Sequence, residues 1–375
     1  MLIGQRITVI GAGIGGLAAA VALARRGAQV TVLERAPAIR EVGAGLQVSP
    51  NGAAVLAGLG LGDALRAAGV VSRAVQLRDY RRGAPVLRMD LSSYNAAGHP
   101  FVLIHRARLI ELLADAARDA GVEIQLGAEV QPSDEPLPGE MLRIGAEGIH
   151  SQMRATLNGP ETPFFTGQAA WRAVIADEAP PESCVYMGPG RHLVTYPLGN
   201  GLRNIVAVEE RQDWTREGWS HPDDPDTLRR AFAGFAPEVR GWLDKVSETH
   251  VWGLFRHPVA ATWHSDAWAL LGDAAHPTLP FLAQGANMAL EDAWVLADCL
   301  NALPPDEALA LYQARRRPRV SRAIAAANGN ARNFHLSNPA VRLAAHTVLR
   351  LGGALAPAMP LRRFDWLYGH DVTTG

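Results

Sequence analysis

Apolar positions along this chain follow two rhythms. Residues 6–10 are mostly β-branched (Ile7, Thr8, Val9, Ile10) and predict a strand. Residues 14–26 are rich in Ala and Leu and predict a helix that Gly27 stops. Residues 28–33 predict a second strand, and the three together form a βαβ unit, which implies a parallel sheet. A helix is expected over 106–120, ended by Gly121, with strands at 122–126 and 141–144. Residues 70–103 and 165–255 alternate instead. Runs such as 170–176, 193–197 and 204–209 fit an antiparallel sheet in a second domain. A strand at 267–271 returns to the first domain, followed by helices at 286–300 and 306–331, the latter with Pro318 as a kink. The end, 340–370, is a mixed Ala/Leu/Pro stretch.

The expected class is α/β: a Rossmann-like nucleotide-binding domain with a parallel sheet, a smaller antiparallel-sheet domain and a C-terminal helical segment. Its boundaries are 1–69, 101–164 and 256–330 for the discontinuous first domain, 70–100 and 165–255 for the second, and 331–375 for the tail. Ile7 to Ala24 carries no charge and is long enough to imitate a membrane span, but it holds Gly11, Gly13, Gly15 and Gly16. A buried strand, tight turn and buried helix explain it better. Arg25 and Arg26 follow where a signal peptide would have its cleavage site. Arg342, His346 and Arg350 interrupt the tail, so no membrane insertion is expected there either.

Composition then narrows the function classes. The 375 residues are 48% hydrophobic, ample for a large core, and 36 basic against 37 acidic residues leave a net charge of -1. Nothing there points to nucleic acid. Arg315, Arg316, Arg317 and Arg319 are expected to be a solvated helix face packing across domains. Cys184 and Cys299 stand alone and far apart, which excludes a disulfide framework and a zinc site on cysteine pairs; no metal site is expected, and a reducing cytoplasm fits.

Gly11, Gly13 and Gly16 fit the spacing G-x-G-x-x-G. The first glycine makes the turn, the second lets a pyrophosphate approach the backbone, and the third lets helix and strand pack closely. The helix start offers free N–H groups and a positive dipole end to phosphates. Glu34, at the end of the next strand, has the chemistry to bind both ribose hydroxyls of adenosine and to repel a 2′-phosphate. The fingerprint alone leaves FAD and NAD open.

Further along, Leu271 to Pro277 (Leu-Gly-Asp-Ala-Ala-His-Pro) and Gln284 to Ala293 (Gln-Gly-Ala-Asn-Met-Ala-Leu-Glu-Asp-Ala) resemble the second flavin motif of the single-component aromatic hydroxylases. That is the para-hydroxybenzoate hydroxylase class, in its branch of salicylate, 3-hydroxybenzoate and 6-hydroxynicotinate hydroxylases. Glu41 to Gly45, Ser49 to Asn51, His105-Arg106, Gly145 to Ser151 with Arg154, and Phe364 to Gly369 agree, so the resemblance covers nearly the whole chain. It implies tightly bound, non-covalent FAD, with NADH or NADPH as transient co-substrate. Asp273 would accept hydrogen bonds from ribitol hydroxyls, and the helix starting near Ala286 would aim its amino terminus at the flavin pyrimidine ring. Gly285 would let the backbone come close, and Arg106 would reach the cofactor. Gly15, Arg35, Gly45 and Asn287 complete the expected cofactor contacts.

The implied reaction spends NAD(P)H and O2 to hydroxylate a small aromatic compound through a flavin C4a-hydroperoxide. Oxygen transfer speeds up when the ring is a phenolate, so a base near the substrate hydroxyl is useful. His192 and Tyr196, four apart on one strand, face the same way and are the candidates, with Gln47 facing the flavin or the substrate. For a carboxylated substrate, Arg78, Arg172 and Arg203 are the cations of the second domain, each expected to be a surface residue rather than a clamp. His276, Pro277 and Pro280 would shape the loop beside the flavin. Two features depart from the family pattern: Glu147 stands where the family carries an aspartate, and 127–145 is short, as if a hairpin had been trimmed around Pro132, Pro136 and Pro138. Alternatives are a monooxygenase or epoxidase acting on a larger ring system, a non-catalytic flavin-binding protein, and a plain NAD-dependent dehydrogenase. The chain is expected to be a monomer or homodimer.

Overall fold

The computed structural model describes residues 2–39, 44–132, 138–212, 214 and 221–374. Two large sheets face each other across a cavity. The first has six strands in the order His264–Ser265, Trp268–Leu270, Glu140–Gly145, Arg6–Ile10, Gln29–Glu34, Glu123–Leu126. It is parallel apart from the first pair, and Ile7 lies between Val30 on one side and Leu142 on the other.

The uncharged run explains itself by its position. The helix Ile14–Ala24 packs against the helices Arg106–Asp119 and Gly285–Ala302, and nine of its eleven residues are buried. Removing a leucine such as Leu17 or Leu23 fully from water contributes about 1.5–3 kcal/mol, which no charged residue could supply there. Gly15 permits the contact, because a Cβ there would sit 2.6 Å from the Leu271 side chain and 3.2 Å from that of Ala289.

The second sheet has eight strands in the order His221–Asp223, Thr249–Arg256, Phe164–Ala176, Leu202–Glu210, Arg191–Gly199, Glu182–Gly188, Ala74–Asp79, Pro85–Asp90. The expected antiparallel pattern is corrected at one joint: Glu182–Gly188 and Ala74–Asp79 run parallel, because the chain leaves for the first sheet between them. A third, three-stranded sheet (Gly45–Val48, Val102–His105, Val70–Val71) joins the two.

From Gly285 onward the described chain is helical. Pro305–Phe334 runs through Pro318, which lies on the exposed side, and Pro339–Leu355 follows within the expected C-terminal helical segment. The basic run inside the long helix is also corrected. Arg315 and Arg317 are exposed, but Arg316 is buried and Arg319 nearly so, since Arg316 points at Glu291 and Asp292 and Arg319 at Glu291. No helix among the described residues is long and apolar enough to cross a membrane.

Candidate active site

The cavity between the sheets holds about 1040 Å³. One side is built from backbone. Gly11 has φ of 107°, and a Cβ on it would lie 2.5 Å from the Ala146 carbonyl oxygen; on Gly16 it would lie 2.0 Å from that of Gly11. Both glycines are therefore fixed by packing. Gly13 differs: it lines the cavity and has nothing within 4 Å of where its Cβ would be. The turn is thus closed behind and open in front, as a bound pyrophosphate requires. Glu34 locks it from the next strand, with the Ala12 N–H donating to Oε2 and the Ala36 N–H to Oε1, each at 2.8 Å. Arg35 follows as an exposed residue just past the strand end.

Asp273, Gly285, Ala286 and Arg106 meet on the adjoining wall. Asp273 sits in a one-turn helix after Trp268–Leu270, and a Cβ on Gly285 would be 2.8 Å from Thr278 Oγ1 and 3.9 Å from Asp273 Oδ1. Burial pushes the Asp273 carboxyl up from its ordinary range, against the pull of His276 and Arg106. Arg106 opens its helix, its N–H donating to the Ala44 carbonyl at 3.0 Å. Gly45 binds across to the other sheet, its N–H donating to Asn204 Oδ1 at 2.8 Å. These residues fit FAD: open backbone at Gly13, cavity-lining backbone at Gly285, an acceptor at Asp273, a cation at Arg106, and the amino terminus of an eighteen-residue helix beginning at Gly285.

Asn287 has a different place from the one expected. It does not line the cavity. Its Nδ2 donates to the carbonyls of Gln47 (3.0 Å) and Ala283 (2.7 Å), and its Oδ1 accepts from the Ser49 N–H at 3.0 Å. It therefore stitches the strand Gly45–Val48 to the helix start, and holds Gln47, whose side does face the cavity.

Behind the helix lies an ion network that sequence reasoning missed. Arg316 donates to Glu291 Oε2 at 2.5 Å and Asp292 Oδ1 at 2.6 Å, and Arg319 donates to Glu291 Oε1 at 2.7 Å. His276 Nε2 lies 2.5 Å from Asp292 Oδ2, which also accepts from the Gly272 N–H at 3.1 Å. Asn51 donates to Glu291 Oε1 at 2.7 Å. Burial alone would raise the Asp292 pKa, but His276 and Arg316 outweigh it and hold the group at about 2. The network thereby locks the Gly272–Asp273 turn and the helix in one arrangement. The signal was visible in sequence, as Glu291-Asp292 inside the motif and a compact arginine run behind it.

Glu147 folds back on its own loop, accepting from Ser151 Oγ at 2.5 Å, and Gly148 rather than Glu147 lines the cavity. Burial raises its pKa against that hydrogen bond. Arg154 pairs with Glu161 at 2.7 Å and donates to the carbonyls of Ala274 and Ala275, tying this loop to the Asp273 turn. Glu41, Val42, Gly43 and Pro136 lie outside the described residues.

The opposite wall is built from side chains. Alternate residues of the eight-stranded sheet line it: Val75 and Leu77, Leu87 and Met89, Val185 and Met187, Val206 and Val208. His192 and Tyr196 stand on this face, on Arg191–Gly199 with Val194 between them. Tyr196 is buried against Leu103 and Leu198, and burial pushes its phenol well up. Arg172 shares the face, in register with Val206, which pairs with Val194. Its guanidinium lies 4.2 Å from the Trp252 ring centre. That placement corrects the expectation of a surface arginine. Arg203 and Arg78 are on the other face: Arg203 pairs with Asp177 at 2.7 Å, and Arg78 lies 3.6 Å from Glu238.

His335 and Glu210 were not foreseen. His192 Nδ1 lies 2.6 Å from His335 Nε2, and His335 Nδ1 lies 3.0 Å from Glu210 Oε1. His335 and His192 are separated by 143 residues, so no local pattern could have paired them.

Comparison with known proteins agrees with this geometry. Residues 5–136 and 142–327 match the family described as FAD binding domain. Over 98% of its length the chain is 37% identical to 96% of a 3-amino-4-hydroxybenzoate 2-monooxygenase of Streptomyces platensis. Over 97% it is 31% identical to 96% of a 3-hydroxybenzoate 6-hydroxylase of Klebsiella oxytoca. Among solved structures, HpxO of Klebsiella pneumoniae complexed with FAD and uric acid superposes with a TM-score of 0.82 at 28% identity, covering 95% of each chain. With its glycine turn, its Asp273 turn and matches along almost its full length, this chain belongs to the FAD-binding-domain family of flavoprotein monooxygenases.

Proposed function

We propose that this chain spends NAD(P)H and O2 to hydroxylate a small carboxylated phenol or aminophenol, bound between Arg172 and His192. The observation that carries the reading is the make-up of one sheet face. Its wall is largely apolar, and its main polar groups are one cation, one imidazole, one phenol and the Ser183 hydroxyl. An aromatic ring fits such a surface, a carboxylate is drawn to Arg172, and a ring hydroxyl needs a base. Hydroxybenzoates and aminohydroxybenzoates, on which the relatives act by name, have these three parts.

Bound FAD supplies the two-electron and dioxygen chemistry. The protein's part is to hold, orient and keep dry. Gly13 and the helix start at Ile14 hold the pyrophosphate, and Glu34 the adenosine ribose. Asp273 takes the ribitol hydroxyls, with Gly285, Ala286 and Arg106 around the flavin ring. Burial and the neighbouring His335 keep His192 neutral, so its imidazole retains a lone pair for the substrate proton. Tyr196 keeps its proton and acts as a hydrogen-bond donor. The discontinuous domain division stated above, a cytoplasmic setting and a monomer or homodimer complete the reading.

The test is NAD(P)H oxidation by the yellow holoprotein over a panel of hydroxybenzoates, aminohydroxybenzoates, hydroxynicotinates, uncharged phenols and polycyclic phenols. Carboxylated single rings should stimulate it most. Stimulation confined to polycyclic compounds would instead establish the larger-substrate reading, and none at all would leave a flavin-binding protein without this activity.

A further inference from the structure

We infer that His192, His335 and Glu210 form a proton relay carrying the substrate hydroxyl proton from the cavity to the surface. The inference deepens the proposed function and rests on it.

The tautomers follow from the end of the chain. A carboxylate only accepts, so His335 Nδ1 carries the hydrogen facing Glu210 Oε1 at 3.0 Å. His335 Nε2 is then a lone pair, and His192 Nδ1 must donate to it across 2.6 Å. His192 Nε2 is left as a lone pair on a residue that lines the cavity. Each partner thus sets the hydrogen position of the next, and the base ends up pointing its acceptor toward the substrate.

Exposure grades along the same line. The side chains of His192 and His335 are buried, while that of Glu210 is 53% exposed. A proton left on His192 alone would be an isolated buried charge, walled by the rings of Phe281 and Phe334. Passed on, it rests between His335 and a carboxylate that meets water. The step balances with no change of oxidation state. The substrate O–H bond breaks and an N–H forms at His192 Nε2; the Nδ1 hydrogen moves to His335 Nε2, the His335 Nδ1 hydrogen to Glu210, and Glu210 releases one proton to solvent.

The surroundings keep Glu210 for this task. Its neighbour Glu209 is taken by Arg211 at 2.5 Å and Arg191 at 3.3 Å. Gln168 lies opposite Glu210 in the sheet with its Nε2 3.3 Å from His335 Nδ1; two donors make no bond, so the Nδ1 hydrogen is held by Glu210 alone. The charged side chains Glu209, Arg191 and Arg211 beside Glu210 are thus paired among themselves.

The test follows proton release rather than turnover. FAD-loaded protein is mixed rapidly with 3-hydroxybenzoate or 3-amino-4-hydroxybenzoate, without NAD(P)H, in weak buffer with an indicator dye, and phenolate formation is read by difference absorbance. Wild type should release one proton per bound phenol. Glu210→Gln and His335→Phe should slow release about a hundredfold, within the usual range for acid–base groups, with bound flavin unchanged. Glu210→Asp should recover part of the rate. A merely structural contact would leave the rate and its pH profile alone, so wild-type release in both disabling variants, with a folded yellow protein, overturns the relay while the proposed function stands. A wild type that binds neither phenol overturns both.

Discussion

The two walls of the cavity are made by opposite means. The cofactor wall is backbone: glycines at fixed spacing, a helix start and one carboxylate, the last two braced by buried ion pairs. The substrate wall is side chains: alternate residues of six strands, with chemistry at only a few positions. A wall of backbone binds one molecule and tolerates little change. A wall of side chains keeps the same sheet while its few polar positions are exchanged. The first wall should therefore fail by unfolding or losing flavin, and the second by losing substrate.

The largest effect is expected behind the cofactor wall. Arg316→Met leaves Glu291 and Asp292 buried with half their counter-charge, and should cost roughly 3–5 kcal/mol in chemical denaturation. The same network predicts acid sensitivity. Asp292 is depressed from 3.8 to about 2 in the folded state, so its contribution is complete above about pH 4 and disappears as pH falls toward 2. In Arg316→Met the acid transition should move to higher pH, because one of the two groups holding Asp292 down is gone.

Next come the glycines, which split the backbone wall in two. Gly16→Ala drives a methyl group into the Gly11 carbonyl and should yield little folded protein, read as loss of soluble yield or a much lower melting temperature. Gly13→Ala meets no protein atom and should melt near wild type as apoprotein, yet bind FAD weakly, because the added methyl stands in the cavity. Equal stability loss in both would erase the distinction between packing and ligand-facing glycines.

Much of the first wall was legible in sequence for this reason. Gly11, Gly13, Gly16 and Glu34 mark backbone geometry, and backbone geometry forces residue type. The mixed second sheet and its lining face were legible only as alternation. Which faces turn inward depends on register between strands far apart in sequence, so Arg172 read like Arg203 until Val206 and Val194 placed it on the wall. Asn287 lies within a few residues of the flavin-facing backbone but points the other way, which a linear motif does not reveal. His335 became a partner of His192 only because the long helix ends beside the start of the strand Arg191–Gly199.

Asp273→Ala removes one charged acceptor and should weaken FAD retention by about 1.5–3 kcal/mol, measured by flavin release during dialysis. Full occupancy would contradict the assignment of that turn. The smallest effect belongs to the side-chain wall. Arg172→Met should raise KM for carboxylated phenols about tenfold while leaving flavin content and melting temperature unchanged, with little effect on uncharged phenols. An equal rise for both classes would place the carboxylate elsewhere.

The joint action of the two walls is tested most directly by product analysis in heavy-isotope dioxygen. With the phenol that best stimulates NAD(P)H oxidation, mass spectrometry should find one labelled oxygen in the product, lost when His192 is replaced by Ala. Vigorous NAD(P)H oxidation with only hydrogen peroxide formed, or with unlabelled product, would contradict the account.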